Sequence, residues 1–261
     1  MNIVVCVKQI PDPAEPGSLD PNTKTLKRDG KLILDESDSY GVEMALQLVD
    51  AADGPGEVTL VSMAPNNEVS GLRTALAMGA AKAILVSDPA LSGTDALGTS
   101  KVLAAAIKRV EGADLIIAAT EASDGYTGTV PEQIAQLLEL PSVTFAKHIE
   151  VDGSTVKVDR QTDRGYDEVT SPLPAVVSVT AGVVEPRYPS FKGIMAAKSK
   201  PVDEVSLADL GIDAGSVGWA GAGQEIVSVE DAPAREAGEV FEDDGTGAEK
   251  IVAFLDNLKV I

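Results

Sequence analysis

Residues 115–138 read LIIAATEASDGYTGTVPEQIAQLL: an unbroken apolar run, a polar loop rich in glycine and threonine, and then apolar side chains at Val130, Ile134, Leu137 and Leu138. A short run apolar at every position suits a strand covered on both faces, and the later spacing suits one face of a helix. The same alternation extends in both directions along the chain. Ile3–Val7, Val58–Ser62 and Ala83–Val86 repeat the strand pattern. Val42, Ala45, Leu46 and Val49 repeat the helical one, as do Val69, Leu72 and Leu76, and then Leu103, Ala106, Ile107 and Val110. Strand and helix in turn predict an α/β fold, a mostly parallel sheet with helices on both faces, because parallel strands need crossover connections.

After Pro141 the period changes. Ile149 and Val151 alternate up to Asp152-Gly153, and Val156 and Val158 alternate away from it, which predicts an added hairpin. Ala175–Val179 reads as one more buried strand, and Glu185–Lys200 as an irregular loop flanked by prolines. From residue 211 glycines punctuate the chain, an acidic stretch runs from Glu236 to Glu249, and only Ile251–Leu258 regains helical spacing. Such a segment cannot build its own core. The expected organisation is an α/β domain over 1–210 and an extended C-terminal arm over 211–261, disordered or packed on a partner.

Composition narrows the function. With 21 basic against 41 acidic residues the chain carries a net charge of −20, which opposes binding to nucleic acid or to an anionic membrane surface. No stretch approaches the ~20 apolar residues of a membrane span. The first apolar run meets Lys8 and Pro11 too soon for a signal peptide. Cys6 is the only cysteine, so a disulfide within the chain and a paired-cysteine metal site are both excluded, and a cytoplasmic location is expected.

Catalytic side chains are scarce. His148, the only histidine, sits among alternating strand residues, and Cys6 lies in a buried strand, so both read as structural. No metal site and no catalytic constellation is expected. Gly221-Ala222-Gly223 follows no strand and reads as linker. The loop after Leu115–Ala119 is more informative: Gly125 and Gly128 allow close backbone approach, Thr127 and Thr129 offer hydroxyls and a helix cap, and Pro131 suits a first helical turn. A helix start of this kind at the end of a parallel strand favours an anion, though the same residues also serve simply to cap a helix. A second segment, Arg187–Met195, gathers Tyr188, Phe191, Ile194 and Met195 in a chain with nine aromatic residues. It reads either as an adaptable interface or as a satellite core under the loop. Lys192, Lys198 and Lys200 beside it read as a basic run for a partner's carboxylates or as solvated surface.

Taken together these residues form a pattern. The chain resembles the small (beta) subunit of electron transfer flavoproteins over nearly its whole length. The most specific stretch is Val158-Asp159-Arg160-Gln161-Thr162-Asp163-Arg164-Gly165-Tyr166-Asp167-Glu168-Val169 followed by Leu173–Ser178, which is similar to the family's signature hairpin and strand; Arg164 and Asp167 depart from its usual pattern. Val7-Lys8, Arg73–Ala80, and Glu185-Pro186-Arg187-Tyr188 with Ile194–Lys198 match further family motifs in the same order.

The resemblance implies a Rossmann-like nucleotide-binding domain paired with a larger alpha subunit that holds most of a redox-active FAD. It also implies a structural AMP in this chain, and an electron carrier rather than an enzyme. The flavin then supplies the redox chemistry, which accounts for the missing catalytic groups. By the same match the AMP pocket is similar to the space between Cys6, the helix start Asp35-Glu36-Ser37-Asp38, Met63, and the segment from Ala119 through Ala122, Ser123, Asp124, Gly125, Tyr126, Thr127, Gly128, Thr129 and Val130. The last three would offer backbone N–H groups to the phosphate. The resemblance makes residues 185–200 a recognition loop for acyl-CoA or other dehydrogenases, with Phe191 where relatives often have Leu, and makes the tail the arm that embraces the alpha subunit. Pro13 and Ser37 stand where some relatives place aromatics against the flavin. A bifurcating branch of the family puts a second FAD in the AMP pocket; AMP is the reading taken here, and a stand-alone nucleotide-binding module is the third alternative.

Overall fold

The first strand, β1 (Asn2–Cys6), shows why the chain builds a sheet with two apolar faces. Successive strand side chains point to opposite sides. Ile3 and Val5 accordingly pack into one core with Val42, Ala45 and Leu46, and Val4 and Cys6 into another with Val102, Ala106 and Ile134. The strand β6 (Leu115–Ala119) divides in the same way, Leu115 and Ile117 against Ile116 and Ala118. A run apolar at every position is thus the signature of a strand between two helical layers.

In the computed structural model the remaining elements are β2 (Gln9–Pro11), β3 (Leu32–Leu34), α1 (Glu36–Ala51), β4 (Glu57–Ala64), α2 (Ser70–Met78), β5 (Lys82–Ser87), α3 (Ala96–Ile107), α4 (Val130–Leu138), β7 (Ser142–Asp152), β8 (Thr155–Thr162), β9 (Gly165–Pro172), β10 (Ala175–Val179), α5 (Phe191–Ala197), β11 (Val202–Val205), α6 (Gly218–Gly221) and α7 (Gly247–Asn257). The structure describes residues 1–52, 54–230, 232–234, 238, 240 and 242–261; part of the acidic stretch read between Glu236 and Glu249, Glu236 included, lies outside them. Nine strands form one sheet in the order β11-β5-β4-β1-β6-β10-β7-β8-β9. All neighbours from β11 to β7 are parallel, and β8 and β9 continue antiparallel as the added hairpin and its return. Helices α1 and α2 cover one face, α3 and α4 the other. The α/β architecture read from the sequence is therefore present.

Several elements were not legible in the periodicity of the sequence. A two-stranded ribbon pairs β2 with β3, β9 extends the hairpin, β11 adds a parallel edge, and α5 occupies part of the segment read as irregular. Ser190 nucleates α5 by accepting the Gly193 N–H at 3.0 Å, as an N-cap serine does.

The chain divides into two compact units, Met1–Ile226 and Val227–Ile261. Within the first, residues 211–226 are tied to the turn before α3: the Gly218 N–H donates to Thr94 Oγ1 at 2.9 Å, the Trp219 N–H to the Ser92 carbonyl at 3.0 Å, and the Gly223 N–H to Asp95 at 2.8 Å. The second unit contains α7, which leaves Ile251, Val252, Phe254 and Leu258 exposed.

Candidate functional site

On one side of β1 the chain builds β4 and β5; it then returns to build β6 and β10 on the other. Where strand order reverses in this way, the carboxyl ends of adjacent strands leave a crevice between diverging loops. A cavity of about 740 Å³ opens there, lined by Cys6 at the end of β1, Met63 and Ala64 at the end of β4, and Ala118–Thr120 at the end of β6. Its size lies within the range of small-molecule sites.

The loop joining β6 to α4 forms one wall, and buried carboxylates hold its shape. Asp35, the N-cap of α1, accepts the Ser37 N–H at 3.0 Å and the Ser123 N–H at 2.8 Å, joining the helix start to the loop. Asp124, almost fully buried, binds Lys8 Nζ at 2.5 Å and also the Arg28 guanidinium. Burial pushes the Asp124 carboxyl up, but the charges and hydrogen bonds of Lys8 and Arg28 outweigh it and hold it below the usual range. Two cations share this carboxylate, while Asp35 holds the same loop from behind and Glu121 Oε2 lies 3.4 Å from where a Cβ on Gly128 would stand.

The backbone beyond this anchor is left open. The Ala122 carbonyl takes the N–H groups of Gly125 and Tyr126, but those of Thr127, Gly128, Thr129 and Val130 meet no acceptor among the described residues. Gly128 adopts φ +65, where a side chain would be strained. Thr129 is the N-cap of α4, as read from the sequence, but its hydroxyl makes no capping bond to the helix N–H groups. Unpartnered N–H groups at the positive end of a helix form an anion cradle.

Next to the cradle the acid–base groups are muted. Asp38 accepts the Lys8 N–H at 2.5 Å, yet burial, with Asp35 close by, raises its carboxyl well above the ordinary value of 3.8. Burial, then Asp38, push the Cys6 thiol up to about 12, so it stays protonated and inert. His148 lies exposed on β7, 3.1 Å from Glu150. Among the described residues no cluster of His, Cys, Asp and Glu is arranged to hold a metal ion.

Of the residues singled out from the sequence, Cys6, Asp38, Met63, Ala119, Ala122, Asp124, Gly125, Thr127, Gly128 and Val130 line the cavity. Asp35 and Ser123 instead shape the loop behind it. Glu36, Ser37, Tyr126 and Thr129 do not line it, and the Tyr126 side chain is exposed. Sequence reasoning missed Arg28, which joins the Asp124 anchor, and the Gly93–Ala96 turn and Trp219, which also line the cavity. The only tryptophan of an aromatic-poor chain, set among glycines, was a signal that could have pointed there.

The segment 185–200 lies elsewhere and is built differently. The Arg187 guanidinium grips buried Glu43 at 2.7 and 3.1 Å, and its N–H donates to the same carboxylate at 3.2 Å. Arg73 donates to the carbonyls of Ala197 and Lys200, while Lys200 Nζ binds the carbonyls of Leu76 and Ala80 at the end of α2. Lys200 is thus a helix-end anchor rather than part of a solvated basic run. Between these anchors Tyr188 is 94% and Phe191 81% exposed, with Ile194 and Met195 half exposed. They form no satellite core.

Fold and site together define a class: a doubly covered parallel sheet with a walled cavity at its strand-order reversal and an anion cradle, with no metal-binding cluster among the described residues. Residues 23–210 match the family model of the electron transfer flavoprotein domain. The chain is 40% identical to the electron transfer flavoprotein subunit beta of Mycobacterium tuberculosis, covering all of this chain and 99% of the relative. It is 37% identical to the subunit of the same name from Megasphaera elsdenii, over 97% and 98% of the two chains. It is likewise 37% identical to the caffeyl-CoA reductase-Etf complex subunit CarD of Acetobacterium woodii, over 92% of each. The chain belongs to the electron transfer flavoprotein family, as a beta subunit. As such it is an electron carrier subunit of a flavoprotein rather than a catalytic enzyme, and no helix among the described residues is long and apolar enough to cross a membrane.

Proposed function

We propose that this chain pairs with a larger alpha subunit and carries electrons from dehydrogenases, acyl-CoA dehydrogenases among them, to a downstream acceptor, with AMP bound in its own cavity. The observation that carries the nucleotide assignment is the run of four N–H groups from Thr127 to Val130 at the start of α4 that meet no acceptor among the described residues, beside a cavity of suitable size. These groups would take the phosphate, with Lys8 and Arg28 held close to the same loop by Asp124. The residues fit such a ligand without chemistry of their own, as a structural nucleotide requires. FAD, held mainly by the alpha subunit, supplies the redox chemistry. The second unit, with the exposed apolar side of α7, is the arm for that subunit, and Tyr188, Phe191, Ile194 and Met195 face the dehydrogenase.

The test is Gly128→Val in the heterodimer. A branched side chain at φ +65 distorts the cradle, so the purified complex should contain much less AMP and melt at a lower temperature. Wild-type AMP content in a correctly assembled variant would contradict the assignment.

A further inference from the structure

Trp219 is held in an unusual way. Its N–H is fixed to the Ser92 carbonyl, and its indole lies so close to Gly93 that a Cβ built there would sit 2.1 Å from Cδ2. The preceding Gly218 has φ +61 and room for no side chain, since a Cβ would fall 1.9 Å from the Ala90 carbonyl oxygen. The backbone under this tryptophan is therefore fixed by two close approaches that only glycine permits. Yet the residue is 55% exposed, and it lines the same cavity as the anion cradle. A rigidly held, half-exposed indole on a cavity wall offers a planar apolar surface.

We propose that Trp219 is the wall on which the planar base of the bound adenine nucleotide packs, so that the ligand spans the cavity from a base end at Trp219 to a phosphate end at Thr127–Val130. The inference rests on the nucleotide reading above and adds the ligand's orientation and a residue that selects for a flat ring. Lys24, whose Nζ donates to the Ile226 carbonyl at 3.2 Å, ties the β2–β3 connection to the segment that follows Trp219, and both residues line the cavity. Adenine occurs both in AMP and in the adenylate half of FAD, so the wall serves either ligand. Stacking of a base on an aromatic ring contributes enough that its loss weakens binding by about tenfold, and such losses fall mainly on dissociation.

The test uses the intact heterodimer with its resident nucleotide. Trp219→Leu keeps apolar bulk but removes the π face; Trp219→Phe keeps a ring and controls for folding. Exchange of the resident nucleotide against labelled AMP should be about tenfold faster in the Leu variant and near wild type in the Phe variant. The fluorescence difference between wild type and Trp219→Phe should change when the pocket is emptied and refilled. Equal exchange rates in wild type and the Leu variant would overturn the role of Trp219 while leaving the nucleotide reading intact. A resident nucleotide that exchanges only with FAD would keep the wall and change the ligand. A wild-type complex with no adenylate beyond the flavin of its partner would overturn both the reading and this inference.

Discussion

The loop of residues 120–130 and the segment 185–200 are both fixed by buried carboxylates gripping cations, but they present opposite things. In the first, Asp35 and Asp124 hold the chain from behind and leave bare backbone N–H groups free from Thr127 to Val130. In the second, Glu43 and the α2 carbonyls hold Arg187 and Lys200, and the side chains of Tyr188 and Phe191 are left in solvent. Free backbone suits a small anion, whose charge meets N–H groups without sequence detail. Free aromatic side chains suit another protein, whose pockets they can fill. Anchoring of both kinds reduces the ordering cost on binding.

The largest expected effect is on the inner loop. Asp124→Ala strands Lys8 and Arg28 against a partly buried site and should destabilise the chain by about 3 kcal/mol, the low end for a broken buried pair because both cations can reach water. Urea unfolding measures it; a midpoint unchanged from wild type would show that Asp124 does not hold the loop. On the outer segment, Phe191→Ala should weaken docking to the dehydrogenase by about 2 kcal/mol, as an anchor residue does, without altering nucleotide or flavin content. Electron-transfer rates equal to wild type at subsaturating dehydrogenase would remove Phe191 from the interface. Glu43→Ala should cost about 1–2 kcal/mol through the lost charged hydrogen bonds, and should reduce docking without touching the exposed aromatics. Docking that is unaffected while thermal stability falls would mean that the anchor matters for folding alone.

The smallest effects are in pH dependence and have opposite signs. Burial raises Glu43, but its bonds to Arg187 and Gln47 outweigh burial and hold it below the ordinary value of 4.5. Its folded value lies below its unfolded one, so its contribution is present above about pH 4.5 and lost as the pH falls through the folded value. Asp38 is raised above 3.8, so its contribution is complete below that value and lost as the pH rises through the folded one. Asp38→Asn keeps an acceptor for the Lys8 N–H. It should therefore be more stable than wild type at neutral pH, by a margin that shrinks on acidification. A margin constant from pH 4 to pH 8 would contradict a raised Asp38.

The sheet was legible in the sequence because strands buried on both faces leave unbroken apolar runs such as Leu115–Ala119, and the helices because Val42, Ala45 and Leu46 share one buried face. β9 showed in the family resemblance but not in the periodicity, because most of its side chains face solvent, and α5 was hidden because its apolar residues point outward, the reverse of the usual stripe. The cradle loop could be read because Gly125, Gly128 and Pro131 act locally. Arg28 could not, since its place depends on Asp124, far away along the chain; the lone Trp219 among glycines was a signal, but its position against Gly93 was not readable from it.

The central claim, that this subunit holds AMP in its own cavity while the redox flavin belongs chiefly to its partner, is tested most directly by a ligand inventory. The chain is co-produced with its alpha subunit, the complex is denatured, and the released molecules are identified by mass and absorbance. One FAD and one AMP per heterodimer is the result predicted. Two FAD and no AMP would contradict the assignment of this pocket, and nucleotide without flavin or a second chain would contradict the carrier function itself.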